Sequence, residues 1–203
     1  MSSHRIIVGA SSGIAQAFYQ HIRQQEPDTL ITRISSRQLA GAIHCDYSER
    51  SIAEVCKNIA SADELSVHIF NGQLVSEGKL PEKSLRAFEG DYFQRLIHSN
   101  TIVPMLFLQA LMPLFKTQTR AVISVLSARV GSIDDNHLGG WYSYRASKSA
   151  LNQLLQCFAA ELRYRSPKST VIAFHPGTTD TELSKPFQKN VSAEKLFSSE
   201  FVA

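Results

Sequence analysis

The chain has little from which to build a covalent or metal-held framework. Its 203 residues contain three cysteines, Cys45, Cys56 and Cys157, far apart in sequence. An odd number at such distances gives neither a disulfide scaffold nor the paired spacing of a zinc site, so no metal is expected and a reducing compartment fits best. Charge of one sign is also scarce. Twenty-one basic residues against 18 acidic leave a formal +3, scattered instead of gathered into a run that grips phosphate backbones, so nucleic acid is not expected as a partner. Long apolar runs are missing as well. Arg5-Ile6-Ile7-Val8 begins like the core of a signal peptide, but Gly9, Ser11, Ser12 and Gly13 cut it short. No other stretch is continuously apolar over the roughly 18 residues that cross a bilayer. A cytoplasmic chain with no membrane partner is the expectation. With 43% hydrophobic and 19% charged residues and no linker, repeat or low-complexity tract, residues 1–203 are expected to form one globular domain.

Short apolar runs recur at Arg5–Val8, Leu30–Ile34, Ala42–Cys45, Leu65–Phe70, Ala121–Leu126 and Thr170–Phe174, with helical patterns between most of them. Runs that are apolar throughout suit strands covered on both faces. The pattern therefore predicts a doubly wound α/β fold, a parallel sheet with helices on each side. The first helix starts after Ser12, carries Ile14, Phe18 and Ile22, and ends before Pro27. A second runs from about Asp91 to Lys116, with Pro104 inside it expected to kink it or remove one hydrogen bond. A third runs from about Trp141 to Tyr164, with a wide apolar stripe from Ala150 to Leu162. Helices apolar on two faces want a second partner, which predicts a homodimer or homotetramer through the 91–116 and 141–164 helices.

Several residue sets carry chemistry. Val8-Gly9-Ala10-Ser11-Ser12-Gly13-Ile14-Ala15 joins the first strand to the first helix. Small residues there let backbone approach a pyrophosphate, and the helix start offers free N–H donors and partial positive charge. The spacing is G-x-x-x-G with Ala15 after it, and a plain glycine turn capped by Ser12 is the competing reading. Tyr144 and Lys148 stand four residues apart on one helical face, where a nearby ammonium lowers a phenol's pKa and makes it an acid or base near neutral pH; a solvated helix surface is the alternative. Ser127 closes the strand Val122–Leu126 at its carboxyl edge, where open α/β sheets bind ligands, although many such serines only cap turns. Asn100 lies inside the second helix, where an asparagine often merely faces solvent.

Taken in order, the Gly9–Ala15 turn, Asp46, Asn71-Gly72, Asn100, Ser127, Tyr144/Lys148 and Pro176-Gly177-Thr178-Thr179-Asp180-Thr181 resemble the short-chain dehydrogenase/reductase family over nearly the whole chain. Ser127 to Lys148 looks most like its C-factor-type and sniffer-type carbonyl reductases. The resemblance implies an oxidoreductase that interconverts a small-molecule carbonyl compound and an alcohol by hydride transfer. Tyr144 would be the acid/base, Ser127 would bond the substrate oxygen, and Lys148 would lower the Tyr144 pKa and hold the nicotinamide ribose. Asn100 would position a proton-relaying water. Gly9, Ser11, Ser12, Gly13 and Ile14 would line the cofactor phosphates, Asp46 and Tyr47 the adenine, Asn71 and Gly72 the ribose side, and Pro176, Gly177, Thr179 and Thr181 the carboxamide end. Ile34-Ser35-Ser36-Arg37 lacks the acid that NAD-preferring members place after the second strand, while Ser36 and Arg37 suit a 2′-phosphate. NADP(H) is therefore expected over NAD(H).

The chain also departs from that pattern. Phe70-Asn71-Gly72-Gln73 stands where the family has Asn-Asn-Ala-Gly. The serine register is open: aligning the strand favours Ser127, anchoring on Gly131 puts Ala128 in that place, and spacing to Tyr144 admits Ser132. Ile133–Gly140 is expected as a loop at the substrate mouth, with Trp141 and Tyr142 either shaping an apolar or aromatic pocket or packing the helix. Lys185–Ala203 is expected to give a capping segment and a short helix but no closing strand. The sixth strand is then left as an open edge, which a shortened chain leaves bare or another chain covers. A dinucleotide-binding regulatory or signalling protein with little turnover is the second functional expectation.

Overall fold

The structure is a computed structural model and describes residues 2–203, the side chain of residue 190 aside. Its centre is a sheet of six parallel strands: β1 (Ser3–Val8), β2 (Leu30–Ser35), β3 (Ile43–His44), β4 (Glu64–Ile69), β5 (Arg120–Leu126) and β6 (Thr170–Phe174). They lie in the order β3-β2-β1-β4-β5-β6. The chain therefore leaves β1 in one direction and, after β3, crosses back to β4 on the other side. That reversal opens a crevice at the carboxyl ends of β1 and β4, where such sheets bind ligands. All six expected strands are present.

Continuous apolarity in β1 follows from cover on both faces. Ile6 and Val8 pack with Val67, Ile69, Phe107, Leu111, Leu151 and Leu155, whereas Ile7 points the other way onto Ala15 and Ile22 of helix α1 (Gly13–Gln25). Helix α2 (Glu49–Lys57) follows β3, with Ser48 as its cap. β6 ends the sheet, and Ile172 on it remains 40% exposed, the open edge expected from the sequence.

The long helix expected over 91–116 is divided. Helix α3 (Gly90–Ile97) passes into a π-helical turn (His98–Ile102), then helix α4 (Val103–Leu111) and a 3-10 turn (Met112–Leu114). Pro104 sits in the first turn of α4, where the irregular backbone before it removes the clash a proline makes mid-helix. Gly90–Leu114 is long and apolar enough for a membrane span by composition, which the sequence reading did not anticipate, but Tyr92, Leu96, Phe107, Leu108 and Leu111 are buried in the core. Helix α5 (Tyr142–Arg165) matches its expected range. Beyond β6, β7 (Thr178–Thr179) pairs in parallel with β8 (Leu196–Phe197), and α6 (Ser199–Val202) is the expected short helix, lying against α1.

Candidate active site

Gly9 has φ +75°, and a Cβ on it would lie 2.6 Å from the Asn71 nitrogen. A side chain there would drive the ends of β1 and β4 apart, so glycine lets the crevice close. Ser12 caps α1 through its Oγ, which accepts the Ala15 N–H at 3.2 Å, and the Gln16 side chain ties down the Ser11 carbonyl. The N–H groups of Gly13 and Ile14 have no acceptor among the described residues, which leaves the positive end of α1 facing the crevice. Thr181 and Ser199 approach Gly13: a Cβ on that glycine would be 3.6 Å from Thr181 Cγ2 and 3.2 Å from Ser199 Oγ.

Along the same edge, Ser36 and Arg37 are exposed after β2. The Ser35 hydroxyl fixes their turn, accepting the Arg37 N–H at 3.0 Å and donating to the Arg37 carbonyl at 2.8 Å. Asp46 accepts from the Ser48 N–H and hydroxyl, which hold its carboxyl below the usual range. Tyr47 adopts φ 66° beside Ser36 and Gly9, and burial pushes its phenol up. Asn71 donates to the Ser99 carbonyl at 2.9 Å, while its Oδ1 is buried without a partner among the described residues. Across the crevice, Gly177 (φ 72°) packs under the Phe197 ring, and Thr179 Oγ1 donates to the Pro176 carbonyl at 3.3 Å.

Tyr144 and Lys148 face inward from α5, 8% and 3% exposed. Lys148 Nζ donates to the Leu126 carbonyl at 2.9 Å and lies 6.0 Å from the centre of the Tyr144 ring. Burial lowers the lysine pKa to about 8 and raises that of the phenol to about 12, with Tyr92 adding to the latter. The resemblance has Lys148 lower the Tyr144 pKa, whereas burial acts on the phenol in the opposite sense. Desolvation dominates here, and the ammonium is directed at a carbonyl.

Asn100 does not face solvent. It is fully buried in the π-helical turn, where Oδ1 accepts the Gln73 N–H at 2.7 Å and Nδ2 donates to the Gln73 carbonyl at 2.8 Å and to Ser147 Oγ at 3.0 Å. Ser147 Oγ in turn donates to the Tyr144 carbonyl at 2.8 Å. The widened turn therefore ties the segment after β4 to the helix carrying the phenol.

The three residues of the open serine register sit differently around Tyr144 and its helix. Ser127 Oγ donates to Asn152 Oδ1 at 2.6 Å, one turn beyond Lys148. Ala128 instead joins Tyr144, Leu74, Trp141, Val130 and Phe187 in one cluster. Gly131 anchors this arrangement, since a Cβ on it would be 2.9 Å from Lys148 Cβ. Ser132 is exposed, and its Oγ accepts the Asp135 N–H. Position 128 thus presents a methyl beside Tyr144, while Ser127 keeps its hydroxyl on Asn152.

Residues 3–192 match the family model of the short chain dehydrogenases. The chain belongs to the short chain dehydrogenase family. Its relatives include 1-hydroxy-2-glutathionyl-2-methyl-3-butene dehydrogenase of Rhodococcus sp. (strain AD45), 27% identical over 186 residues, covering 90% of this chain and 80% of that protein. A benzil reductase ((S)-benzoin forming) of Bacillus cereus is 22% identical over 98% of this chain and 84% of its own. Among solved structures, a short-chain dehydrogenase/reductase from Burkholderia multivorans with bound NADP has TM-score 0.77 at 22% identity, covering 99% of this chain and 87% of that one. The carbonyl reductase Sniffer of D. melanogaster has TM-score 0.79 at 17% identity, covering 100% and 88%.

The residues present fit the nicotinamide dinucleotide that a short chain dehydrogenase uses. The free N–H groups at the start of α1, the orphaned Asn71 Oδ1 and the space beside Gly72, 3.6 Å from Lys148 Nζ, all meet at one crevice. Sequence reasoning missed Glu82, Asn152, Ser147 and Ser199 here. Glu82 and Ser199 lie in stretches without periodicity, and Asn152 and Ser147 read as ordinary helix positions.

Proposed function

We propose that this short chain dehydrogenase is an NADP(H)-dependent oxidoreductase that interconverts an apolar or aromatic carbonyl compound and its alcohol. The carrying observation is the buried Tyr144–Lys148 pair opposite the Gly9–Ile14 turn. The cofactor supplies or accepts the hydride. Gly9, Ser11, Ser12, Gly13 and Ile14 hold its phosphates, Asp46 and Tyr47 its adenine, Asn71, Gly72 and Lys148 its ribose side, and Pro176, Gly177, Thr179 and Thr181 its far end. The exposed Arg37 guanidinium and Ser36 take the 2′-phosphate, a choice supported by the NADP bound in the Burkholderia multivorans structure. Tyr144 gives its proton to the substrate oxygen, and Lys148, released from the Leu126 carbonyl, returns one to the phenol. Trp141, edge-on to Tyr144 with centres 6.2 Å apart, and Phe187, 5.1 Å from Trp141, make an aromatic wall. An aromatic ketone suits that wall, and the benzil reductase of Bacillus cereus is named for one.

Titration with NADPH and NADH, followed by energy transfer from Trp141, the single tryptophan, tests the cofactor choice. Tighter NADPH binding is expected, and equal or tighter NADH binding overturns it. NADPH consumption with benzil, lost in Tyr144→Phe, tests the reaction. A second reading, a dinucleotide-binding regulatory protein with little turnover, is favoured by the Ala128 methyl that packs beside Tyr144. It predicts NADPH binding without carbonyl reduction. On either reading the three free cysteines suit a reducing cytoplasm, and the assembly is a homodimer or homotetramer through the 91–116 segment and α5.

A further inference from the structure

Glu82 lies between β4 and α3, only 2% exposed, and no ion pair reaches it among the described residues. A carboxyl group at that depth without a cation depends on hydrogen bonds. All of its side-chain bonds come from the first turn of α5. The Ser143 N–H lies 3.3 Å from each Glu82 carboxylate oxygen, and the Ser143 hydroxyl donates to Oε1. Helix α5 has no other cap, because Trp141 stands at its N-cap and makes no side-chain cap bond. Glu82 therefore supplies from another segment the acceptor that this helix start lacks.

The main chain is clamped at the same place. Gly139, Gly140 and Trp141 enter α5 with φ of 62°, 65° and 52°. Glycine adopts this region freely, but a bulky residue there is strained, so its surroundings must hold it. The Trp141 N–H donates to the Glu82 carbonyl at 2.5 Å, and a Cβ on Gly140 would be 3.4 Å from the same oxygen. One residue thus binds the nitrogens of both Trp141, whose ring meets Tyr144 and Phe187, and Ser143, which immediately precedes Tyr144.

We propose that Glu82 is a positioning residue: it clamps the Gly139–Ser143 entry to α5 and so sets the Trp141 indole and the Tyr144 phenol in register with each other. Its role in catalysis rests on the acid/base assignment of Tyr144 made above; its role in seating Trp141 does not.

The test uses Glu82→Gln, which replaces one acceptor oxygen with a donor facing Ser143, and Ser143→Ala, which removes the hydroxyl from the other side. Near-UV circular dichroism and emission of the single tryptophan are expected to change in both variants, while the Kd for NADPH stays within about twofold. With benzil and NADPH, kcat per NADPH-binding site is expected to fall about tenfold or more with KM within about twofold, as misplacement of a reacting group dictates. The double variant is expected to be no worse than the poorer single one, since both remove one contact. An unchanged tryptophan signal in both single variants overturns the proposal. So does a lowered Tm with kcat per site intact, the result of a purely structural contact. If the parent protein does not reduce any carbonyl, the functional reading fails, and the Trp141 signal still decides whether Glu82 seats the helix entry.

Discussion

If the substrate oxygen docks where the Ala128 methyl packs beside Tyr144, it lacks a hydrogen-bond donor there. A missing donor at a developing oxyanion costs on the order of 100–1,000-fold in turnover. Ala128→Ser is therefore expected to raise kcat on a simple aryl ketone by about tenfold or more, with a smaller gain on benzil, whose second carbonyl already activates the first. Ser127→Ala, which breaks only the bond to Asn152, is expected to cost less than Tyr144→Phe. If Ala128→Ser gains nothing while Ser127→Ala abolishes turnover, the donor is Ser127 after all. Steady-state NADPH oxidation with both substrates decides between them.

Lys148 shows the conflict between stability and chemistry in one side chain. Burial lowers its pKa from 10.5 to about 8, so the unfolded chain holds the proton more tightly than the folded one. The cost to the folded state is present in full below pH 8 and shrinks as the pH rises from 8 toward 10.5. Lys148→Met fills a similar volume without charge. It orphans the Leu126 carbonyl, at about 1–3 kcal/mol, but the relieved burial of charge is the larger effect. The variant is expected to be inactive yet to melt a few degrees higher at pH 7, with the gap to the parent narrowing toward pH 10. Thermal unfolding across that range checks it, and a gap that widens with pH sinks the idea.

At the scale of elements, helix α5 and the strands around it show what is legible in a sequence and what is not. β1, β4 and β5 could be read because two-sided burial leaves continuous apolar runs, and α5 because its stripe is long. The division of α3 from α4 could not, because a π-helical turn leaves the apolar periodicity almost intact and only its consequence, a fully buried Asn100, reveals it. The β7–β8 pair has two residues per strand, too few for any period. Tyr144 and Lys148 were found by spacing along one helix, whereas Glu82 reaches that helix from 61 residues away. The register at 127–132 depended on Gly131, whose packing on Lys148 exists only in three dimensions. Gly131→Ala places a methyl 3.0 Å from the Lys148 backbone carbon, and since a helix backbone does not yield cheaply, a loss of about 1–3 kcal/mol is expected. Denaturant unfolding measures that loss, and a change below about 0.5 kcal/mol would show that the 129–131 turn shifts freely.

Across the whole molecule, the two helices nearest the site also leave some apolar side chains open to solvent. Ile102, just before α4, and Leu154 on α5 are 41% and 40% exposed, while Met105 and Leu106 are only partly covered by the core. A helix apolar on two faces buries the second against a partner, and a two-fold dimer is the commonest way for a chain to cover such a face with its own copy. In such a dimer, α5 would be braced from outside by the second copy and from its N-terminal end by Glu82. Light scattering on the purified chain is expected to give at least twice the 22.6 kDa of one copy. Leu154→Glu would place a carboxylate in the centre of the interface, where an unpaired charge costs several kcal/mol, and is expected to return the mass to that of one chain. Leu154 lies well along α5 from Tyr144, so a dissociated chain that keeps its NADPH affinity would assign the interface to assembly alone. A parent chain already monomeric at working concentration would leave α4 and α5 without the partner their composition calls for.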